Sequence, residues 1–139
     1  MKGTYSALMQ SRFFTPAFNS AIFDGPLRIY FAQFHESLAL KIYFTLQQRF
    51  PHELARAKEM HKFLERTVLV MVYPTSESFH HSFESEDFLQ SEHLSEDTII
   101  GINGPFEDNK LDEVLAQVLL AFQAWEKIPL EKHSADAIL

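Results

Sequence analysis

The 139-residue sequence contains no cysteine. That excludes a disulfide framework, a thiolate zinc site, an iron–sulfur cluster and a cysteine nucleophile. Glycine and proline are scarce, at four and six residues, which excludes collagen-like and linker-like sequence. No apolar run approaches the roughly 20 residues that a bilayer span needs. Residues 1–6 carry no apolar signal core behind Lys2, so the chain is expected to be cytoplasmic. Twelve basic against nineteen acidic side chains leave a formal net charge of −7. Such a chain suits neither nucleic acid, whose phosphates require clustered Lys and Arg, nor anionic lipid. Nucleophile elbows and phosphate loops are absent too. No motif names a reaction, and neither enzyme activity nor a cofactor is expected.

What is present is a hydrophobic fraction of 46% with 22% charged residues, which excludes a disordered chain. The length suits one domain over 1–139. Its folded core is expected over 15–126, with a short helix within 1–14 and a tail at 127–139. Charge is unevenly laid out. Residues 1–66 hold nine bases and five acids, net +4; residues 67–109 hold nine acids and no Lys or Arg, net −9; residues 110–139 are net −2. The acidic middle is either a solvated surface or a segment that meets a basic surface, in this chain or on a partner.

Tyr5, Leu8, Met9 and Phe13 recur at helical spacing, predicting a helix over 4–13 that Pro16 ends. Strands are expected at 18–23 and 27–34, joined at Asp24-Gly25, where glycine accepts a positive φ. A helix over 36–50 meets Pro51 and resumes over 52–65. Thr67 to Tyr73 is β-branched and almost wholly apolar, the pattern of a central strand covered on both faces. Phe79, His81 and Phe83 alternate as in a polar strand. A last strand runs from 98 to 103, where Gly104-Pro105 ends it. Asp108 or Asn109 caps a helix to about Glu126, with Leu111, Val114, Leu115, Val118, Leu119, Phe122 and Trp125 on one face.

A hairpin, a broken helix, further strands and a closing helix suggest an α+β domain: a mostly antiparallel sheet of four to five strands with helices packed on it. This order resembles the roadblock/LC7 family. Asp24-Gly25 sits where that family turns between its first two strands, and Ile99 to Leu111 looks like its final strand-to-helix junction. The resemblance implies a homodimeric regulatory adaptor whose partner is a small Ras-like GTPase, a motor or a scaffold. The Pro51 break and the acidic, Phe-rich segment depart from the family pattern.

Seven histidines offer the only metal-type ligands besides carboxylates. His80, His81 and His93 carry an alternative reading, a small metal-dependent enzyme or ligand-binding domain. Adjacent histidines on a strand point to opposite faces, however, and no standard ligand spacing is present, so no metal is expected. Glu36 suits the start of a helix, and His61 lies at the edge of an apolar stripe. The apolar surplus is more informative. Leu38, Ala39, Ile42, Tyr43, Leu46 and Phe50 fill the sheet-facing side of the helix over 36–50. Leu40 and Phe44 lie opposite, flanked by Ser37, Gln47 and Gln48, and call for a second cover, either another helix of this domain or a second chain. Leu120 repeats this on the last helix. Lys58, Lys62 and Arg66 form a ridge, either solvated or receiving the acidic segment. The expected partner and dimer interface is therefore Leu40, Phe44, Gln47, Lys58, Lys62 and Arg66. The expected acidic interaction segment is Phe79, Phe83, Glu84, Glu86 and Asp87.

Overall fold

The computed structural model describes residues 7–85, 87–104, 106 and 108–127. Residues 4–6 of the expected first helix, Glu86 and the expected tail beyond Lys127 lie outside them. Residues 7–9 form a helical turn.

The strands are β1 (Ser20–Asp24), β2 (Leu27–Phe31), β3 (Val68–Tyr73), β4 (Leu89–Leu94) and β5 (Asp97–Asn103). The helices are α1 (Glu36–Arg49), α2 (Pro51–Leu64), α3 (Ser76–Phe83) and α4 (Leu111–Trp125). The five strands form one sheet in the order β1-β2-β3-β5-β4. Its edges are antiparallel hairpins, β1 with β2 and β4 with β5. Its centre is parallel, β2 with β3 and β3 with β5.

The sheet is thus mixed, and the expectation of a mostly antiparallel one is corrected. The reason lies in the connections. A parallel pair needs a crossover of a dozen or more residues. α1 and α2 supply the first crossover, from β2 to β3. The second, from β3 to β5, carries α3 and β4.

Period-2 alternation divides β2 and β3 between two cores. Leu27, Ile29, Phe31, Val68, Val70 and Val72 face α1, α2 and α4. Tyr30, Leu69, Met71 and Tyr73 face the other way, toward Leu8, Phe13, Phe18, Phe79 and Phe83. All six residues of β3 are buried. The apolar run read as a doubly covered strand is the middle of the sheet.

Pro51 divides the long helix in two. Phe50 occupies the junction at φ −131°, ψ 51°, and Pro51 opens α2, a position where its missing N–H costs nothing. α4 starts at Leu111 after a 3₁₀ turn over Asp108–Lys110. Lys110, one residue beyond the expected Asp108 or Asn109, stands at its cap position without a side-chain bond.

The segment over 76–83 is a helix, not a polar strand. Thr75 and Ser78 form a reciprocal capping box at its start: the Thr75 hydroxyl accepts from the Ser78 N–H at 3.1 Å, and the Thr75 N–H donates to the Ser78 hydroxyl at 3.3 Å. Phe79 and Phe83 are then one helical turn apart and stack at 5.2 Å. The Phe83 ring lies directly on the backbone of Gly101 in β5. A Cβ there would fall 2.2 Å from a ring carbon. Gly101 is therefore a place of close approach rather than part of a turn, whereas Gly104 turns the chain at φ +67°.

Candidate functional site

α1 lays Ala39, Ile42 and Leu46 into the core. The 3.6-residue period puts Ser37, Leu40, Phe44, Gln47 and Gln48 on its outer side. Phe44 is 56% exposed, Leu40 is half-buried, and Ser37, Gln47 and Gln48 are exposed. None of the five carries a charge. On α4, Leu120 is 58% exposed between exposed Ala116 and Ala124. Phe34, just before α1, is 76% exposed. Its ring lies 4.4 Å from that of His35. Burial lowers the pKa of His35, and its Nδ1 is enclosed without a hydrogen-bond partner among the described residues. Glu36 is the first residue of α1, where a negative charge suits the helix dipole.

Each side chain of the basic ridge of α2 lies beside a carboxylate of this chain. Lys58 Nζ lies 2.8 Å from Asp24, Lys62 pairs with Glu59 at 3.2 Å, and Arg66 reaches Glu96 at 3.3 Å. These three expected interface residues are neutralised within the chain. The acidic middle is answered the same way in part: Glu96 by Arg66, and Glu92 by Arg12 at 2.6 Å. The Arg12 Nε–H also donates to the Ser82 carbonyl at 2.8 Å, and the Ser82 hydroxyl donates to the Arg12 carbonyl at 2.8 Å. This anchors the N-terminal segment to α3.

Of the expected acidic interaction segment, the two aromatic residues do not reach the surface. Phe79 and Phe83 are buried core beneath α3, because helical spacing turns both toward the sheet. Glu84 is exposed at the left-handed C-cap of α3. Asp87 is exposed and accepts from the Gln90 side chain at 2.7 Å. His80 and His81 are exposed on α3, and His93 is exposed on β4. Among the described residues no group of three or more His, Asp or Glu converges on a common point. No helix among them is long and apolar enough to cross a membrane.

A polar junction that no local pattern in the sequence marks links three elements. The Tyr43 hydroxyl donates to Asp24 Oδ2 at 2.8 Å, and Gln47 Nε2–H donates to the Tyr43 oxygen at 2.8 Å. Burial and the neighbouring Asp24 carboxylate push the Tyr43 pKa up to about 12. Burial works to raise the Asp24 pKa, but the hydrogen bonds from Lys58 and Tyr43 and the Lys58 charge together outweigh it, so the pKa lies below its ordinary value of 3.8. Residues so far apart in sequence become partners only when α1 and α2 pack over the β1–β2 turn.

The outer side of α1 is thus a partly apolar face centred on Leu40 and Phe44, with exposed Lys41 at its margin and the Tyr43–Asp24 junction behind it. The chain matches no protein-family model, no curated protein and no solved structure.

Proposed function

We propose that this protein is a non-enzymatic interaction module that pairs with a second copy of itself through the outer side of α1. The single observation that carries the reading is Phe44, 56% exposed beside half-buried Leu40, on a stripe whose one basic neighbour is Lys41. Two chains of net charge −7 repel each other, and a contact centred on Leu40 and Phe44 places no acidic side chain at its middle. A two-fold pairing sets the same patch against itself, so the Phe44 ring of each copy can cover Leu40 of the other. Burying both side chains contributes roughly 3–5 kcal/mol per copy by area.

A protein partner of the pair, such as a small Ras-like GTPase or a scaffold, is the further part of the proposal. It is carried by the resemblance of the element order to roadblock/LC7 domains and by nothing in the mixed sheet.

Sedimentation of the wild type and of the Leu40→Ser/Phe44→Ser variant tests the pairing. The wild type is expected to run as a dimer, and the variant as a folded monomer with an unchanged far-ultraviolet spectrum. A monomeric wild type at high concentration, or a dimer indifferent to the two changes, overturns it.

A further inference from the structure

On the sheet face opposite α1, the cover is incomplete. α3 packs over β3 and β5, and Phe13 and Phe18 extend the cover toward β2. At the β1 edge the cover ends. The hairpin register pairs Ala21 with Tyr30 and Phe23 with Arg28, so all four side chains share this face. With Phe14, Phe18 and Asn19 they line a cleft of about 510 Å³, within the size range of small-ligand sites.

Aromatic rings form the walls. Phe14 meets Phe18 edge-on at 6.1 Å, and Phe23 meets Tyr30 edge-on at 5.8 Å. The Arg28 guanidinium stands over the Phe23 ring at 5.3 Å. Its Nε is enclosed and has no hydrogen-bond partner among the described residues. Seven other Lys and Arg side chains, Arg12, Arg49, Arg56, Lys58, Lys62, Arg66 and Lys110, lie within 4 Å of a carboxylate. Among the described residues Arg28 has no such pair. An enclosed polar donor left unsatisfied costs free energy, and a planar guanidinium fork matches a carboxylate.

We propose that this cleft binds a small aromatic carboxylate, its ring against Phe23 and Phe14 and its carboxylate on Arg28. The rings supply apolar contact and offset stacking; the guanidinium supplies a charge-assisted bond. The proposal is independent of the pairing through α1, which uses the other side of the sheet.

Calorimetric titration of the full chain with 2-naphthoate, and separately with its uncharged counterpart 2-naphthamide, is the test. Naphthoate is expected to bind saturably and about tenfold tighter than the amide, as one charge-assisted bond implies. Arg28→Gln is expected to bring naphthoate down to the amide's affinity with little change in melting temperature. Phe23→Ala is expected to weaken both ligands. The comparison of acid with amide on the wild type decides the matter even if a variant fails to fold. Absence of saturable naphthoate binding at millimolar ligand, equal affinity for acid and amide, or undiminished naphthoate binding by folded Arg28→Gln each overturns the proposal.

Discussion

The Tyr43 hydroxyl of α1 donates to the Asp24 carboxylate, 2.8 Å away at the end of β1, while Lys58 of α2 holds the other carboxylate oxygen at 2.8 Å. One side chain on the hairpin turn thereby ties down both helices of the first crossover. Gly25 lets the turn pass beneath Lys58: it sits at φ +61°, and a Cβ there would lie 3.1 Å from the lysine Cγ.

Tyr43→Phe removes a hydrogen bond to a charged group, and the expected loss is about 1–2 kcal/mol by urea denaturation at neutral pH. The pH dependence has a defined sign. In the unfolded chain tyrosine ionises near its ordinary value of 10, whereas folded Tyr43 keeps its proton to about 12. The contribution is therefore complete below pH 10 and is lost as pH rises from 10 through 12. Asp24 acts at the other end: its lowered pKa gives stability that is present above the ordinary value and lost as pH falls through the folded one. Between pH 10 and 12 the stability curve of Tyr43→Phe should fall less steeply than that of the wild type. Parallel curves would show that the hydroxyl does not act through this bond.

Gly101→Ala should destabilise the fold by about 1–3 kcal/mol through overpacking. The new methyl would meet the Phe83 ring, which cannot swing aside freely because Phe13 and Phe79 each hold it at 5.2 Å. In a Phe83→Leu background the same change should cost clearly less. Additive effects in that double-mutant cycle would sink the argument.

Val70→Asp should unfold the protein. Val70 is fully buried and pairs across the sheet with Ile29 on one side and Ile100 on the other, so the carboxylate has neither water nor a cation. An unpaired buried charge costs several kcal/mol against a total stability of about 5–15. A cooperative melt at the wild-type temperature would contradict the central place of β3.

Thr75→Ala removes the acceptor at the start of α3, and a loss of about 1 kcal/mol is expected. Because α3 covers the second core, Thr75→Ser should restore most of it, whereas Thr75→Val should behave like the alanine variant. Hydrogen exchange at Ser78 provides a local readout, with faster exchange expected in the alanine variant.

Within the sequence alone, contiguous pattern was decisive. The apolar run at 68–73 marks the buried centre of the sheet because six successive apolar residues suit only a strand covered twice. Asp24-Gly25 marks the first hairpin, and the 3.6-residue spacing of α1 and α4 marks which sides face inward. β4 escaped that reading because its six residues mix Leu, Gln, Ser, Glu and His and its hairpin turns through Ser95 at φ 59°, where glycine or asparagine would have been the signal. α3 escaped because Phe79 and Phe83 fit a period of two as well as one of four, and only the Thr75–Ser78 cap tells them apart.

Tertiary structure decided everything that depends on residues distant in the chain. Strand direction follows from where a crossover helix returns the chain, which no local pattern encodes. The basic ridge of α2 looked free until folding brought Asp24 and Glu96 to Lys58 and Arg66. Conversely, Arg28 has no sequence mark at all, and its position among aromatic rings, with no carboxylate of the described residues beside it, exists only because the cover of the second face stops at the β1 edge. Charge and polarity are properties of residues, but whether they are satisfied is a property of their neighbours, and the fold supplies those.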